Sequence, residues 1–149
     1  MEYTLEIREL INHITSAELY EGDYGSRLVD HESILSGVDA ADRDSVPVDY
    51  LAFLGTFGFG DLDSALYIED GPAKYAAIAG CEVDAYSRMY VFAATSSGVL
   101  YAFDVGNNWS IVEIDSEIDE VAVLADNFSS FIRNQLIVVK GYVDWRAEQ

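Results

Sequence analysis

The sequence predicts an α+β fold: a single domain in which a mainly antiparallel sheet, built around a central meander, is flanked by helices. Three observations predict it. Residues 90–126 hold three successive strand-like runs with turn residues between them. Apolar residues on either side of that stretch recur at helical spacing. The chain has 149 residues, half of them hydrophobic and 13% aromatic, which suffices for one core without disulfides and is far from a disordered composition.

Ile7, Leu10, Ile11 and Ile14 follow the i, i+3, i+4, i+7 pattern and predict a first helix over residues 3–14. Residues 20–26, with Gly22 and Gly25, read as loop. Asp30 is placed to cap a short second helix carrying Ile34, Leu35 and Val38, and residues 39–44 are polar and expected on the surface. Pro47 suits the first turn of a third helix whose stripe is Tyr50, Leu51, Leu54 and Phe57, with Gly58 placed to end it. Gly55, Gly58 and Gly60 do not have the order of a dinucleotide fingerprint, and no strand precedes them, so they read as a helix stop. Leu66 to Glu69 predicts a short strand, and Gly71-Pro72 a short helical piece running to Gly80.

The meander comes next. Residues 90–95 and 99–104 are strand-like about the Ser96-Ser97-Gly98 turn, and residues 109–115 follow a second turn at 105–108. Alternation puts Tyr90, Phe92, Tyr101, Phe103, Trp109 and Ile111 on one face and Val91, Ala93, Leu100, Ala102, Val112 and Ile114 on the other. Trp109 is expected to be largely buried. Asp126 is placed to cap a last helix with Phe128, Phe131, Ile132 and Leu136 on one face, and residues 141–149 read as a tail in which Tyr142, Val143 and Trp145 can dock.

Composition narrows function. A net charge of −19, from 27 acids against 8 bases, opposes binding to a phosphate backbone and points to a basic partner or to solubility. Cys81 is the only cysteine, no charged leader with an apolar core opens the chain, and no apolar run reaches membrane-spanning length, so a cytoplasmic protein without membrane contact is expected. His13 and His31 have no ligand neighbours at metal spacing. Asp61-Leu62-Asp63 opens like a calcium loop, but Ala65 and Leu66 stand where a ligand and the turn glycine belong. Cys81 lacks a basic neighbour and reads as a buried or idle thiol. Carboxylates Glu113, Asp115, Glu117, Asp119 and Glu120 offer pairs for acid-base hydrolysis, or else a charged turn guarding a sheet edge. No cofactor, metal or catalytic residue is expected.

The segments VPVDYLAFLGTFGFGDL, YVFAATSSGVLYAFDVGNNWSIVEID and VLADNFSSFI resemble the SUKH superfamily, over residues 46–132. The matching positions are Pro47, Tyr50, Leu54, Gly58 and Gly60, then Gly98, Tyr101, Asp104, Trp109, Glu113, Asp126, Phe128 and Phe131. The resemblance implies one α+β domain and a binding function: bacterial members neutralise the cognate toxins, often nucleases, of polymorphic or contact-dependent systems, and a fungal relative regulates cell-wall synthesis. The expectation is therefore an immunity protein, monomeric or weakly dimeric, that binds a basic toxin. The alternative is a regulatory or scaffold module. Toxin contacts do not carry over by motif. Charge and expected exposure select Asp61, Asp63, Tyr67, Glu69, Asp70, Tyr101, Glu113, Asp115, Glu117, Asp119 and Glu120 as candidate partner contacts.

Overall fold

A computed structural model describes residues 2–27, 30–115, 117 and 120–149. The architecture is α+β. Helices α1 (Glu2–Thr15), α2 (His31–Ile34) and α3 (Val48–Thr56) precede strands β1 (Gly60–Leu62) and β2 (Leu66–Lys74). Helix α4 (Tyr75–Ala79) leads to β3 (Met89–Thr95), β4 (Leu100–Asp104), β5 (Ser110–Asp115) and β6 (Glu120–Ala125), and α5 (Phe128–Ala147) closes the chain. All six strands form one antiparallel sheet in sequence order, β1-β2-β3-β4-β5-β6. The expected three-strand meander is its centre, lengthened at both ends.

The aromatic face is covered by helices α1, α3 and α5. Tyr50 from α3 is fully buried and meets Phe92, Phe103 and Phe128 edge-on, with ring centres 5.1–5.7 Å apart, the arrangement that aromatic quadrupoles prefer. Phe131 of α5 adds contacts to Phe92 and Tyr101 at 5.4 and 5.0 Å. On the aliphatic face, Tyr75 and Tyr86 from the segment between β2 and β3 lie over Met89, Val91, Ala102, Val112 and Ile114. Both faces of the sheet centre are thus covered, as two apolar faces require.

Local geometry departs from the sequence expectations at several points. Ala93 belongs to the aromatic-side core, because a bulge between Val91 and Ala93 turns Phe92 and Ala93 towards the same side. The short helix expected to run to Gly80 is present as α4, capped by Gly80, but it begins at Tyr75 and Gly71-Pro72 does not open it. That dipeptide sits in β2 where the register to β3 jumps from Ile68 to Ala73, a bulge where proline's missing N–H is harmless. A Cβ on Gly71 would lie 2.1 Å from the Ile34 carbonyl, so only glycine lets α2 approach β2 this closely. Trp109 stands before β5 in a left-handed turn (φ 59°) and is half-buried, stacked on Tyr90 at 5.7 Å. Asn127 caps α5, accepting from the Ser130 N–H at 2.8 Å; Asp126, the expected cap, lies one residue earlier. Residues 141–147 continue α5 instead of forming a tail. Asp30 does cap α2, accepting from the Glu32 N–H at 3.0 Å.

Candidate partner-binding surface

The sheet separates the two acidic runs. Residues 61–70 lie on β1, β2 and the turn between them, and Glu113, Asp115, Glu117 and Glu120 on the β5–β6 hairpin, at opposite sides of the sheet. Four strand spacings part β2 from β6, roughly 19 Å. One cross-sheet row links them on the face away from α5: Tyr67, Ala94, Leu100, Ile114 and Val121 are successive register partners.

At the first edge, Tyr67 is 42% exposed and directly opposite Asp61. Its hydroxyl pKa is pushed up by burial and by the charges of Glu69, Asp23, Asp70 and Asp61. Asp61 accepts from the Ser64 N–H at 2.9 Å. Its carboxyl is raised by partial burial and, against that hydrogen bond, by Asp23, Asp63 and Glu21. Half-buried Glu69 is raised by burial and by the neighbouring Asp70, which is itself exposed. Asp23 was not legible as part of this group. It comes from the 20–26 loop, which binds β1 through Asp23 N–H to the Asp61 carbonyl at 3.1 Å and Asp61 N–H to the Asp23 carboxylate at 2.8 Å.

Two expected contacts are corrected here. Asp63 is 6% exposed, in a left-handed turn (φ 60°), and its carboxylate takes Arg146 at 2.8 Å and the Glu21 N–H at 3.2 Å. It fastens α5 to the β1–β2 turn and the 20–26 loop and does not face a partner. Tyr101 is 5% exposed beneath Phe131. Like Phe103, two residues on, it belongs to the aromatic core, because alternation on β4 turns both to the helix side.

At the second edge, half-buried Glu113 pairs in register with Tyr101 and Ala122, and Asp115 stands directly opposite Glu120. Like charges opposed across two strands destabilise a sheet. The Asp115 carboxylate accepts the Glu117 N–H at 3.2 Å, and Glu117 and Glu120 are exposed. Asp119 lies outside the described residues. Strand β6, which the sequence did not announce, exposes Val121 (42%), Val123 (59%) and Leu124 (42%). The signal was present as the alternation of Glu120-Val121-Ala122-Val123, hidden by its acidic neighbours.

His13 is committed to Asp144 at 2.6 Å, and His31 and Cys81 are exposed, which rules out the buried form of the buried or idle thiol expected at Cys81. Among the described residues no group of three or more His, Cys, Asp or Glu is placed to hold a metal ion, and no helix is long and apolar enough to cross a membrane.

Charge is the dominant property of the surface. Among the described residues, the ion pairs engage only Glu6, Asp39, Asp63 and Asp144. From β3 to the first turn of α5, between Arg88 and Arg133, there is no lysine, arginine or histidine, while seven acids occur. Comparison of the chain with protein-family models, with characterised proteins and with solved structures gives no match.

Proposed function

We propose that this chain is a non-enzymatic binding module of the immunity type, which neutralises a basic toxin domain, of nuclease type, by covering its active surface. The observation that carries the reading is the uncompensated acidity of the sheet: among the described residues, no ion pair engages the carboxylates of its strands. Such a concentration of like charge costs self-repulsion in the folded state, and a positive partner offsets it. A nuclease active site presents the field that accepts polyphosphate, and Asp61, Glu69, Asp70, Glu117 and Glu120 can occupy it. Exposed Tyr67, among its acids, supplies an aromatic anchor of the kind that contributes most to affinity. The SUKH resemblance supports the same reading, and with it a cytoplasmic, monomeric or weakly dimeric protein. A regulatory scaffold would use the same surface for a different partner.

The test is association with a toxin domain identified from the genes beside the one for this chain. Stopped-flow rates should approach ~10⁸ M⁻¹s⁻¹ at low ionic strength and fall steeply with salt. Combined Asp61→Asn, Asp70→Asn, Glu117→Gln and Glu120→Gln should slow association at least tenfold. Rates indifferent to both salt and these substitutions would reject the electrostatic assignment, and a neighbouring toxin unaffected by the protein would reject the immunity reading.

A further inference from the structure

The two edges of the sheet are finished differently. At β1 the 20–26 loop covers the edge: Gly25 N–H donates to the Phe59 carbonyl at 3.0 Å, Phe59 N–H to the Ser26 carbonyl at 2.8 Å, and the Tyr20 hydroxyl to the Asp61 carbonyl at 3.0 Å. The approach is so close that a Cβ on Gly58 (φ 91°) would lie 2.3 Å from the Ser26 carbonyl. At β6 no such cover exists among the described residues, and the strand is hydrogen-bonded on one side only, to β5. Proteins normally guard a free edge with lysine, proline, inward charge or a bulge. Strand β6 carries neither lysine nor proline. Its bulge, where the register jumps from Ile111–Ala125 to Val112–Val123, leaves residues 120–123 regular, with Val121 and Val123 exposed.

We infer that β6 is a docking edge that takes an extended, lysine- or arginine-bearing segment of a partner protein as a seventh strand. Main-chain hydrogen bonds supply the attachment in this mode, and alternate side chains supply selectivity. Val121 and Val123 share the face of Ile114 and Val112 and offer apolar contact to every second residue of the added strand. The other residues of that strand fall on the side of Asp115 and Glu120, whose mutual opposition an incoming cation relieves. The occupant is not a second copy of this chain: antiparallel pairing of two β6 strands sets Glu120 of each beside the Ala125–Asp126 end of the other, in a pair of molecules that each carry −19.

The inference rests on the reading of the chain as a binding module and names how that module binds. A synthetic peptide of about ten residues alternating lysine with valine and threonine is the probe, with a peptide alternating glutamate in the same frame as its control. The lysine peptide should bind and slow amide hydrogen exchange of residues 120–123 at least tenfold; the glutamate peptide should do neither. Val121→Lys with Val123→Lys should weaken binding at least tenfold. Val121→Thr with Val123→Thr, which keeps β-branched side chains, should weaken it less and guards against loss of folding. Failure of the lysine peptide to bind, binding without protection of residues 120–123, or sedimentation showing that protection comes from self-association would each overturn the inference. Toxin neutralisation that persists in the Val121→Lys, Val123→Lys variant would overturn it too while leaving the proposed function standing.

Discussion

Tyr90 is 2% exposed, yet its hydroxyl donates to the Asp42 carboxylate at 2.7 Å and accepts from the Asp39 N–H at 3.2 Å. Burial, reinforced by the bond to Asp42, pushes its pKa up to about 12. A tyrosine raised in the folded state favours the neutral form there. Its stabilising contribution is complete below the ordinary value of about 10 and is lost as pH rises towards about 12. Denaturant titrations across that window should show a steeper alkaline loss of stability in the wild type than in Tyr90→Phe; equal slopes would remove Tyr90 from the linkage. Tyr50 presents the contrasting case, a buried hydroxyl with no hydrogen-bond partner among the described residues. Helical spacing identified Tyr50 as core, because that signal reports a face. Alternation placed Tyr90 on the correct face but contained nothing of Asp42, which arrives from 48 residues away.

Among the elements, α5 illustrates what periodicity can and cannot reach. Phe128, Phe131, Ile132 and Leu136 were legible as one face, and all are at most 2% exposed. Phe131→Ala should cost about 3–5 kcal/mol, since it empties a site bounded by Phe92 and Tyr101. Chemical denaturation is the measurement, and a change below about 1 kcal/mol would mean that α5 is not part of the cooperative core. The helix end was misplaced because Gly141 has the signature of a stop. Side-chain contacts carry the helix past it: Asp144 takes Lys140, one turn back, at 2.7 Å and the distant His13 at 2.6 Å, and Arg146 reaches the distant Asp63 at 2.8 Å. The same limitation hid β1 and β6. A three-residue strand and a strand exposed on both sides bury too little apolar surface to leave a clear pattern.

For the molecule as a whole, the acid excess governs stability as well as recognition. Repulsion among exposed carboxylates is screened by salt, whereas the buried Asp63 carboxylate and its pair with Arg146 are screened much less. Thermal melts at pH 7 should therefore rise as sodium chloride increases from about 10 mM to about 500 mM, where the Debye length shrinks from ~30 Å to under 10 Å. A falling midpoint would mean that the surface ion pairs outweigh the repulsion. The α+β class, the meander, the aromatic and aliphatic faces and the polarity of the surface were determined by the sequence itself, since they follow from local spacing and from composition. Tertiary structure alone decided which acids are free. Asp63 looked like Asp61 until Arg146 reached it, Tyr101 looked exposed until Phe131 covered it, and Asp23 came beside Asp61, the partner of Tyr67, through hydrogen bonds between segments 38 residues apart. It also decided that one sheet edge is covered and the other open, because pairing at an edge depends on where a distant loop lies rather than on the strand's own residues.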